Sequence, residues 1–434
     1  MKKYILIAII TVLAYPWVYV AVAQESISLR LCYEEAMKNH PRAEEGKLHS
    51  QLLQLKQENL KTSWYPEIAA GANILYNSSV VDLAGAFESI PVPGISDDIP
   101  VMPNDQYKLT LDINQVLYDG GAVKSSRRME DKQLELNKKE LEADLYQVKE
   151  QINNYYFSFI ILGKQKELLL SYLETINRQL NRMESGIENG VLLPSDREVL
   201  KAEKIKIRQQ IAETDIRKYS VASVLSDLTG LVILPGTEAS VPAAPISNKT
   251  ELARPELQVL ELKKEQVEAG KDLIRSNRRP KAFAFATLGY GRPAGNDFFS
   301  DSFGPYYIVG AGIKWNIIDW KKNSRKQKIA DINKTLISSG KKVMEDKLSR
   351  ALEMKKAEIN SLLSALESDE ELITTLGKVC STALSKYNNG TITASEYLVE
   401  FNKEKQAVIN REIHRVSLAK ARVEYLNIAG KEIE

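Results

Sequence analysis

Residues 134–187 read LELNKKELEADLYQVKEQINNYYFSFIILGKQKELLLSYLETINRQLNRMESGI. Apolar or aromatic side chains recur at every seventh position of this stretch, at Leu134, Leu141, Val148, Tyr155, Leu162, Leu169, Ile176 and Met183. A companion series lies four residues further on, at Leu145, Ile152, Phe159, Leu173, Leu180 and Ile187. A heptad pattern sustained over this length predicts a long helix packed in a left-handed coiled coil.

The same pattern returns near the end of the chain. Its members are Leu352, Ile359, Leu366, Ile373, Cys380 and Tyr387, accompanied by Leu348, Leu362, Leu376 and Ala383. We therefore expect long helices over 119–188 and 319–388, each extending about 100 Å at a rise of about 1.5 Å per residue. Shorter helices over 194–230 and 394–430 should fold back along them after breaks at the Asn-Gly pairs. Cys380 lies on the apolar seam, which indicates a small core residue.

An internal repeat organises the whole chain. Pro41 and Pro66 match Pro255 and Pro280 at an offset of 214 residues. Further along, the offset is 200 for Asp119 and Asp319, for Asn189-Gly190 and Asn389-Gly390, and for Gly230 and Gly430. The sequence thus predicts two repeats, 24–230 and 255–434, joined by a linker at 231–254. The first repeat carries an extra loop within 77–104, which is rich in proline and glycine.

Each repeat also contains two predicted strands, about 67–76 and 106–118 in the first and about 281–290 and 306–318 in the second. Tyr107, Leu109, Leu111 and Ile113 alternate with Lys108, Thr110, Asp112 and Asn114. Tyr307, Val309, Ala311, Ile313 and Trp315 likewise oppose Gly310, Gly312, Lys314 and Asn316. One face suits lipid and the other suits water, as in a transmembrane barrel, although a soluble sandwich has the same alternation.

Lipid accepts strands only in closed barrels, because unpaired strand edges cannot be solvated there. Four strands are too few, since about eight make the smallest barrel that closes. Several copies of the chain must therefore share one barrel. Three copies supply twelve strands and two supply eight, so the strand count alone leaves both open.

The beginning of the chain has the pattern of a secretory signal. Lys2 and Lys3 precede an apolar run, which ends in Ala21-Val22-Ala23, so we expect a signal peptide at 1–23 with cleavage before Gln24. A retained membrane anchor is the alternative. The formal net charge of +2, with charged residues spread along the chain, argues against a nucleic-acid partner. The three histidines have no metal-ligand spacing and no catalytic constellation appears, so we expect no metal, no cofactor and no enzyme activity.

Several short motifs carry a family resemblance. Leu31-Cys32-Tyr33-Glu34-Glu35-Ala36 precedes Asn39-His40-Pro41, and Trp64-Tyr65-Pro66 precedes the first strand. The breaks read GVLLPSD at 190–196 and GTITASE at 390–396, a glycine with an acid six residues on. In order and in both repeats, these motifs resemble the outer-membrane factors of the TolC type, the exit ducts of efflux pumps and type I secretion systems.

The resemblance implies an α+β membrane protein that passively conducts substrates. Long coiled-coil hairpins would form a periplasmic α-barrel, and four strands per chain would contribute to a trimeric, 12-stranded transmembrane β-barrel. The expected location is the outer membrane, spanning into the periplasm. The expected partners are two further copies of the chain, a periplasmic adaptor protein, an inner-membrane RND or ABC transporter and outer-membrane lipid.

The resemblance also implies site residues at the hairpin tips. Adaptor contacts carry over to Gly190, Val191, Leu192, Gly390, Thr391 and Ile392, and a periplasmic gate to Tyr387, Glu396 and Glu400. The pattern is incomplete, since its second acid falls at Val399 and its arginine at Ile392. Asp196 and Glu396 also fit a plainer role at helix starts, beside Ser195 and Ser395.

Two other classes of protein compete with the duct. A periplasmic adaptor would have one helical hairpin, whereas this sequence predicts two of equal length. A specific porin would have no use for the long helices. The cargo stays open among drugs, metal ions, siderophores and proteins, because selecting residues of such systems lie mostly in the pump.

Overall fold

The computed structural model describes residues 26–80, 102–188, 193–246, 251–297 and 301–433. In chain order these contain α1 (Leu29–Asn39), a 3-10 turn (Pro41–Glu44), α2 (Glu45–Thr62), β1 (Glu67–Tyr76), β2 (Asp105–Tyr118), α3 (Ala122–Glu188), α4 (Pro194–Thr229), α5 (Pro255–Ser276), β3 (Lys281–Arg292), β4 (Gly304–Lys314), α6 (Lys322–Asn388) and α7 (Ala394–Ala429). The predicted signal peptide lies outside the described residues, and so does most of the predicted extra loop.

The internal repeat has a direct structural counterpart. The long helices α3 and α6 both have 67 residues, and α4 and α7 both have 36. Both long helices begin three residues later than the sequence predicts, because Asp119 and Asp319 precede them as acceptors. Asp119 Oδ1 accepts from the backbone N–H of Gly121 at 2.8 Å, and Asp319 Oδ2 accepts from that of Asn323 at 2.9 Å.

The four strands form one antiparallel sheet in the order β1-β2-β3-β4. Its register pairs Leu111 with Ala70 of β1 and with Leu288 of β3, and Leu288 in turn with Tyr307 of β4. The strand predicted over 306–318 ends at Lys314 instead. Lys314 pairs with Lys281, the first residue of β3 after Pro280, so residues beyond Lys314 have no partner on that strand.

The two faces of the sheet differ in chemistry. The first face is apolar and exposed, with Ile68, Ile74, Leu109, Leu111, Leu288, Tyr290, Tyr307, Val309 and Ile313 among its members. The second face is polar at its centre, where Asp112 accepts hydrogen bonds from the hydroxyls of Thr110 at 3.0 Å and Thr287 at 2.6 Å. We call these the apolar face and the polar face. The alternation predicted for the second strand of each repeat is present.

The chain divides into two compact units. One unit comprises Glu44–Asp144 and Ala253–Lys347, and it contains the sheet, α2, α5 and the first parts of α3 and α6. Its small helical core includes Leu136, Ala143 and Val259.

The other unit comprises Met1–Ala43, Leu145–Leu252 and Leu348–Glu434. It has two apolar clusters, one around Tyr156, Phe157 and Leu225, and one near the turn between α6 and α7. The inter-repeat segment contributes Ile233 and Ala244 to the first of these clusters. Tyr156 donates its hydroxyl to the backbone oxygens of Ile27 and Ser240, at 2.9 and 2.7 Å.

The hydropathy of the helices bears on whether any of them could cross a membrane. Across the described part of the chain, none combines the length and the apolar character that a membrane crossing demands.

Candidate functional site at the tip of the second hairpin

The turn between α6 and α7 closes the second helical hairpin with a defined backbone motif. The N–H of Gly390 donates to Tyr387 O at 2.9 Å, and the N–H of Thr391 donates to Lys386 O at 3.0 Å. These two bonds make a Schellman motif, which satisfies the last carbonyls of a helix. Gly390 has φ +69°, a left-handed conformation that glycine adopts without a Cβ penalty. The glycine predicted at the break therefore ends α6.

The helix that follows begins with a capping box. The hydroxyl of Thr393 accepts from the backbone N–H of Glu396, and Glu396 Oε2 accepts from the backbone N–H of Thr393 at 2.8 Å. These bonds favour the ionised carboxylate, so they hold the pKa of Glu396 below its usual range. Glu396 is exposed, which leaves its charge open to solvent or to a partner.

Asp196 connects the two hairpins. It lies in the first turn of α4, where no side chain caps the helix, yet its Oδ1 accepts from the N–H of Ala394 at 3.3 Å, at the start of α7. Its side chain is buried. The expected cap is therefore not formed by Asp196, which lies in the first turn of α4 as an acid but satisfies a donor of the second repeat instead.

Aromatic rings fill the space beneath the turn. Tyr387 and Tyr397 stack with ring centroids 5.6 Å apart and planes 13° apart, and Phe401 packs next to Tyr397 at 5.9 Å. Burial, with a smaller contribution from nearby Asp196, raises the pKa of Tyr387 to about 12. Its hydroxyl is buried and has no hydrogen-bond partner among the described residues. Tyr387 is therefore part of the interior of the tip within one chain.

Two charged pairs lie further along the same helices. Lys405 Nζ lies 3.3 Å from Glu203 Oε1, and both side chains are 8% exposed, so this pair crosses the core between α7 and α4. Burial lowers the pKa of Lys405, although Glu203 opposes that shift. Glu400 is half-buried and pairs with Lys403 at 2.8 Å on the same helix.

The structure brings together only part of the predicted site. Gly390 and Thr391 are exposed at the turn, Ile392 packs partly against the aromatic core, and Tyr387, Glu396 and Glu400 lie on the two helices that the turn joins. Gly190, Val191 and Leu192 lie outside the described residues.

Sequence reasoning missed the contacts of Glu203 and Lys405. A signal was available in the spacing of Asp196, Leu200, Glu203 and Ile207, which places two acids on the buried face of one helix. The partners of these acids, about two hundred residues away, have no local signal.

The contacts at the described tip hold its exposed residues in a defined arrangement. Among the residues that the structure covers, no group of three or more His, Cys, Asp or Glu side chains could hold a metal ion. Turn, cap, aromatic stack and bridging carboxylate together fix the exposed residues Gly390, Thr391 and Glu396 in position. Such a surface is suited to contact with another protein.

Two pairs of long and return helices, combined with one four-stranded sheet, define the fold of outer-membrane efflux channels. The Campylobacter jejuni CmeC outer membrane channel matches with a TM-score of 0.62 at 14% identity, over 94% of this chain and 86% of that one. The Vibrio cholerae outer membrane protein VceC matches with a TM-score of 0.61 at 16% identity, over 92% and 96%. The open state of the Neisseria gonorrhoeae MtrE outer membrane channel matches with a TM-score of 0.64 at 15% identity, over 93% and 89%.

The sequence points to the same class. Residues 33–218 match the family described as outer membrane efflux protein. The predicted resemblance to TolC-like outer-membrane efflux proteins is thereby confirmed. A search of curated proteins found no match. The described residues contain two helical hairpins of equal helix lengths, whereas a periplasmic adaptor is expected to have one, which argues against the adaptor alternative.

Proposed function

We propose that this protein is the outer-membrane exit duct of a tripartite efflux pump or a type I secretion system. Substrates would pass through it without energy input from this chain. The observation that carries the proposal is the four-stranded sheet, with one face apolar and exposed and the other polar. An apolar outer surface and a polar inner surface are the requirements of a barrel in lipid.

The sheet supports a shared barrel. Within the described residues β1 and β4 each pair on one side only, so both are edge strands in a single chain. A lipid-exposed strand edge is not tolerated, and closure requires β4 of one copy to pair with β1 of the next. Three copies would give the twelve strands implied by the family resemblance. We therefore propose a homotrimer.

The long helices support the same assembly. Ile329, Leu336 and Val343 recur at heptad spacing on α6, and each is more than half exposed in one chain, at 56%, 64% and 62%. A coiled-coil stripe of this kind needs a partner, because exposed apolar seams are otherwise costly in water. Neighbouring copies in a periplasmic α-barrel would cover it.

At the tips we propose contact with a periplasmic adaptor, which would link the duct to an inner-membrane RND or ABC transporter. The proposed contact residues are Gly390, Thr391 and Ile392 with their counterparts Gly190, Val191 and Leu192. In the described turn, exposed Gly390 lacks a side chain, which allows a partner helix to approach the backbone closely. Three copies of each turn would present the adaptor with a ring of similar surfaces.

A periplasmic gate is proposed at the same end. Glu396 and Glu400 lie one turn apart on α7, so threefold symmetry would gather six carboxylates around the axis. Tyr387 would contribute indirectly. Its ring stacks on that of Tyr397 and so supports the first turn of α7, which carries Glu396. Closely spaced carboxylates repel one another and attract cations, so a closed tip would favour cations.

The experiment that tests the duct combines assembly with docking. Replacing Gly190 and Gly390 together by leucine should leave a detergent-stable trimer, measured by native mass spectrometry, yet abolish crosslinking to the adaptor and efflux from cells. The leucine at position 390 would meet the left-handed φ of +69° and would add bulk where the partner approaches.

Ser381→Leu provides the matched control, because Ser381 is exposed on α6 outside the turn. This variant should assemble, crosslink and support efflux normally. Unchanged crosslinking in the double glycine variant would reject the tip assignment. A wild-type protein that stays monomeric and soluble would reject the duct itself.

A further inference from the structure

A basic cavity lies where the sheet meets the start of α6. Its volume is about 360 Å³, and it is bounded by the end of α5, the paired ends of β3 and β4 and the first turns of α6. Six of its lining residues are cations: Arg278, Arg279, Lys281, Lys314, Lys322 and Lys326. Asp319 is the one acid among the lining residues. We call this site the junction pocket.

The junction pocket is on the polar face of the sheet. Lys281 and Lys314 oppose each other in the register of β3 and β4. Because side chains alternate along a strand, Lys281 is on the same face as Thr287, which donates to Asp112. The pocket therefore opens on the side opposite to the apolar face. In the proposed duct, and only if that proposal holds, this side is the lumen.

The positive charge of the pocket is not balanced within the described part of the chain. Asp319 uses its carboxylate to accept from the N–H of Asn323 at the start of α6. Arg279 donates to the backbone oxygen of Gly120 at 3.2 Å, which provides no negative charge. Across the described residues, no ion pair engages any of the six cations. Like charges gathered in one cavity repel one another, and an anion would relieve that repulsion.

The backbone plan that the two repeats share does not require these cations. The first repeat makes the same junction of strand and helix, with α3 starting at Ala122 as α6 starts at Lys322. At the matching positions, with offsets of 214 and 200, it carries no cation at all: Trp64, Tyr65, Glu67, Asn114, Ala122 and Ser126. The six cations are therefore a feature of the second repeat alone. A structural role common to both junctions cannot explain them.

We propose that the junction pocket binds an anionic group of a small molecule, a phosphate ester or a carboxylate. Arginine guanidinium groups can grip either oxyanion through two parallel hydrogen bonds, and lysine ammonium groups add point charges around it. In a trimer, three such pockets would form a ring on the polar face. Anionic cargo would then pause at the base of the barrel.

The test measures pyrophosphate binding to the purified full chain in detergent at low salt by isothermal titration calorimetry. The variant combines Lys314→Asn, Lys322→Ala and Lys326→Ser. Each of these substitutions installs the residue that the first repeat has at that position, so the fold should accept all three. We expect wild-type affinity to fall by about tenfold or more in the variant, since three attractive charges are lost. Added salt should weaken wild-type binding.

A matched control carries the same change in charge elsewhere on α6. Lys342→Gln, Lys347→Gln and Lys356→Gln alter exposed lysines outside the pocket and should leave the affinity unchanged. Absence of pyrophosphate binding in the wild type, or equal losses in variant and control, would overturn the proposal. A variant trimer that dissociates, with no pyrophosphate binding in the wild type, would instead assign the cations to a second copy, whose Glu67 would approach them across the shared barrel.

Calorimetry on the purified chain needs neither adaptor nor pump. If cells that contain the wild-type protein show no efflux through it, while the purified wild-type chain binds pyrophosphate, the duct is refuted and the pocket is supported. If those cells show efflux but the purified chain does not bind pyrophosphate, the duct is supported and the pocket is refuted. Single-channel recording adds a second readout, since pyrophosphate should reduce the current through wild-type trimers and have little effect on the variant.

Discussion

The two repeats have the same backbone plan but different side chains where sheet and helix meet. In the first repeat Gly120 and Gly121 have φ of +73° and +86°, as expected for glycine. At the matching positions of the second repeat Trp320 and Lys321 adopt φ of +49° and +62°, which side chains disfavour. The left-handed connection thus recurs where the sequence does not favour it. The geometry of strand and helix imposes it, and the second repeat accepts local strain.

The hairpin ends differ in a related way. The helix α7 has a complete capping box from Thr393 and Glu396, whereas α4 begins at Pro194 without a side-chain cap. Asp196 of the first repeat instead satisfies a donor at the start of α7. The second repeat therefore receives support from the first at this end. The two halves are similar in plan and unequal in how each one is stabilised.

The largest effect is expected for charges placed on the apolar face. Leu109 and Val309 occupy matching positions in the two repeats and are 59% and 71% exposed. Leu109→Lys and Val309→Lys should each destabilise the barrel by about 2–4 kcal/mol near the bilayer midplane, and by less near an interface. Denaturant unfolding of the protein in lipid vesicles measures this loss. Similar losses in both repeats would support their equivalence.

Asn114→Lys is the control for this pair. Asn114 is on the polar face, and the second repeat already has Lys314 at the matching position. The control should insert and unfold as the wild type does. If all three lysines were tolerated equally, the assignment of the two faces would be wrong.

An intermediate effect is expected at the glycine pair. A Cβ on Gly120 would lie 3.0 Å from both Arg279 Cβ and Ser276 O, in addition to the left-handed backbone. Gly120→Ala should therefore cost more than the roughly 1–2 kcal/mol of the left-handed conformation alone. Gly270→Ala is the control, since nothing lies within 4 Å of its Cβ inside α5, and alanine there should stabilise by about 0.5–1 kcal/mol. Thermal unfolding of both variants would compare them, and a neutral Gly120→Ala would refute the close packing.

Much of the fold follows from sequence periodicity. The heptads at Leu134–Ile187 and Leu348–Tyr387 predict helices that end at Glu188 and Asn388, as the structure has them. The paired prolines locate the strands, because Glu67 and Lys281 each follow one directly. The end of β4 was predicted wrongly because it depends on pairing with another strand. The strand ending at Lys314 stops where its partner starts, and no local pattern predicts that limit.

The candidate site was less predictable for a physical reason. A helix cap depends on neighbours three residues away, so the role of Glu396 could be predicted from the sequence, although the hydroxyl of the capping box belongs to Thr393 and not to the expected Ser395. The contacts of Asp196 with Ala394 and of Glu203 with Lys405 join residues 198 and 202 positions apart. The strain at Trp320 likewise has no signature in residue type. The roles of Gly390, Glu396 and Glu400 towards partners stay predictions.

The smallest effect is expected at Glu396, where the two hairpins differ in capping. Hydrogen bonds from Thr393 lower the pKa of Glu396 in the folded state. A carboxyl whose pKa is depressed by folding stabilises the fold above its unfolded pKa of about 4.3, and this contribution disappears as the pH falls through the lower folded pKa. The protection of amides at the start of α7, expressed as the ratio of intrinsic to observed exchange rate at each pH, should therefore fall as the solution is acidified. Glu396→Gln should remove that dependence on pH, while α4, which has no such box, should show none from this source.

Glu396→Gln, alone and combined with Glu400→Gln, distinguishes a role of Glu396 as a helix cap from a role in the gate. If Glu396 also contributes to a closed ring, Glu396→Gln combined with Glu400→Gln should lower the cation selectivity of single channels and relieve block by multivalent cations. If the carboxylates face bulk solvent, screening over about 8 Å at physiological salt hides them from the pore. Unchanged selectivity together with altered amide exchange would then leave Glu396 a helix cap and move the constriction elsewhere. Changes in both measurements would mean that one carboxylate caps α7 and lines the gate, because its exposed side remains free to act on ions.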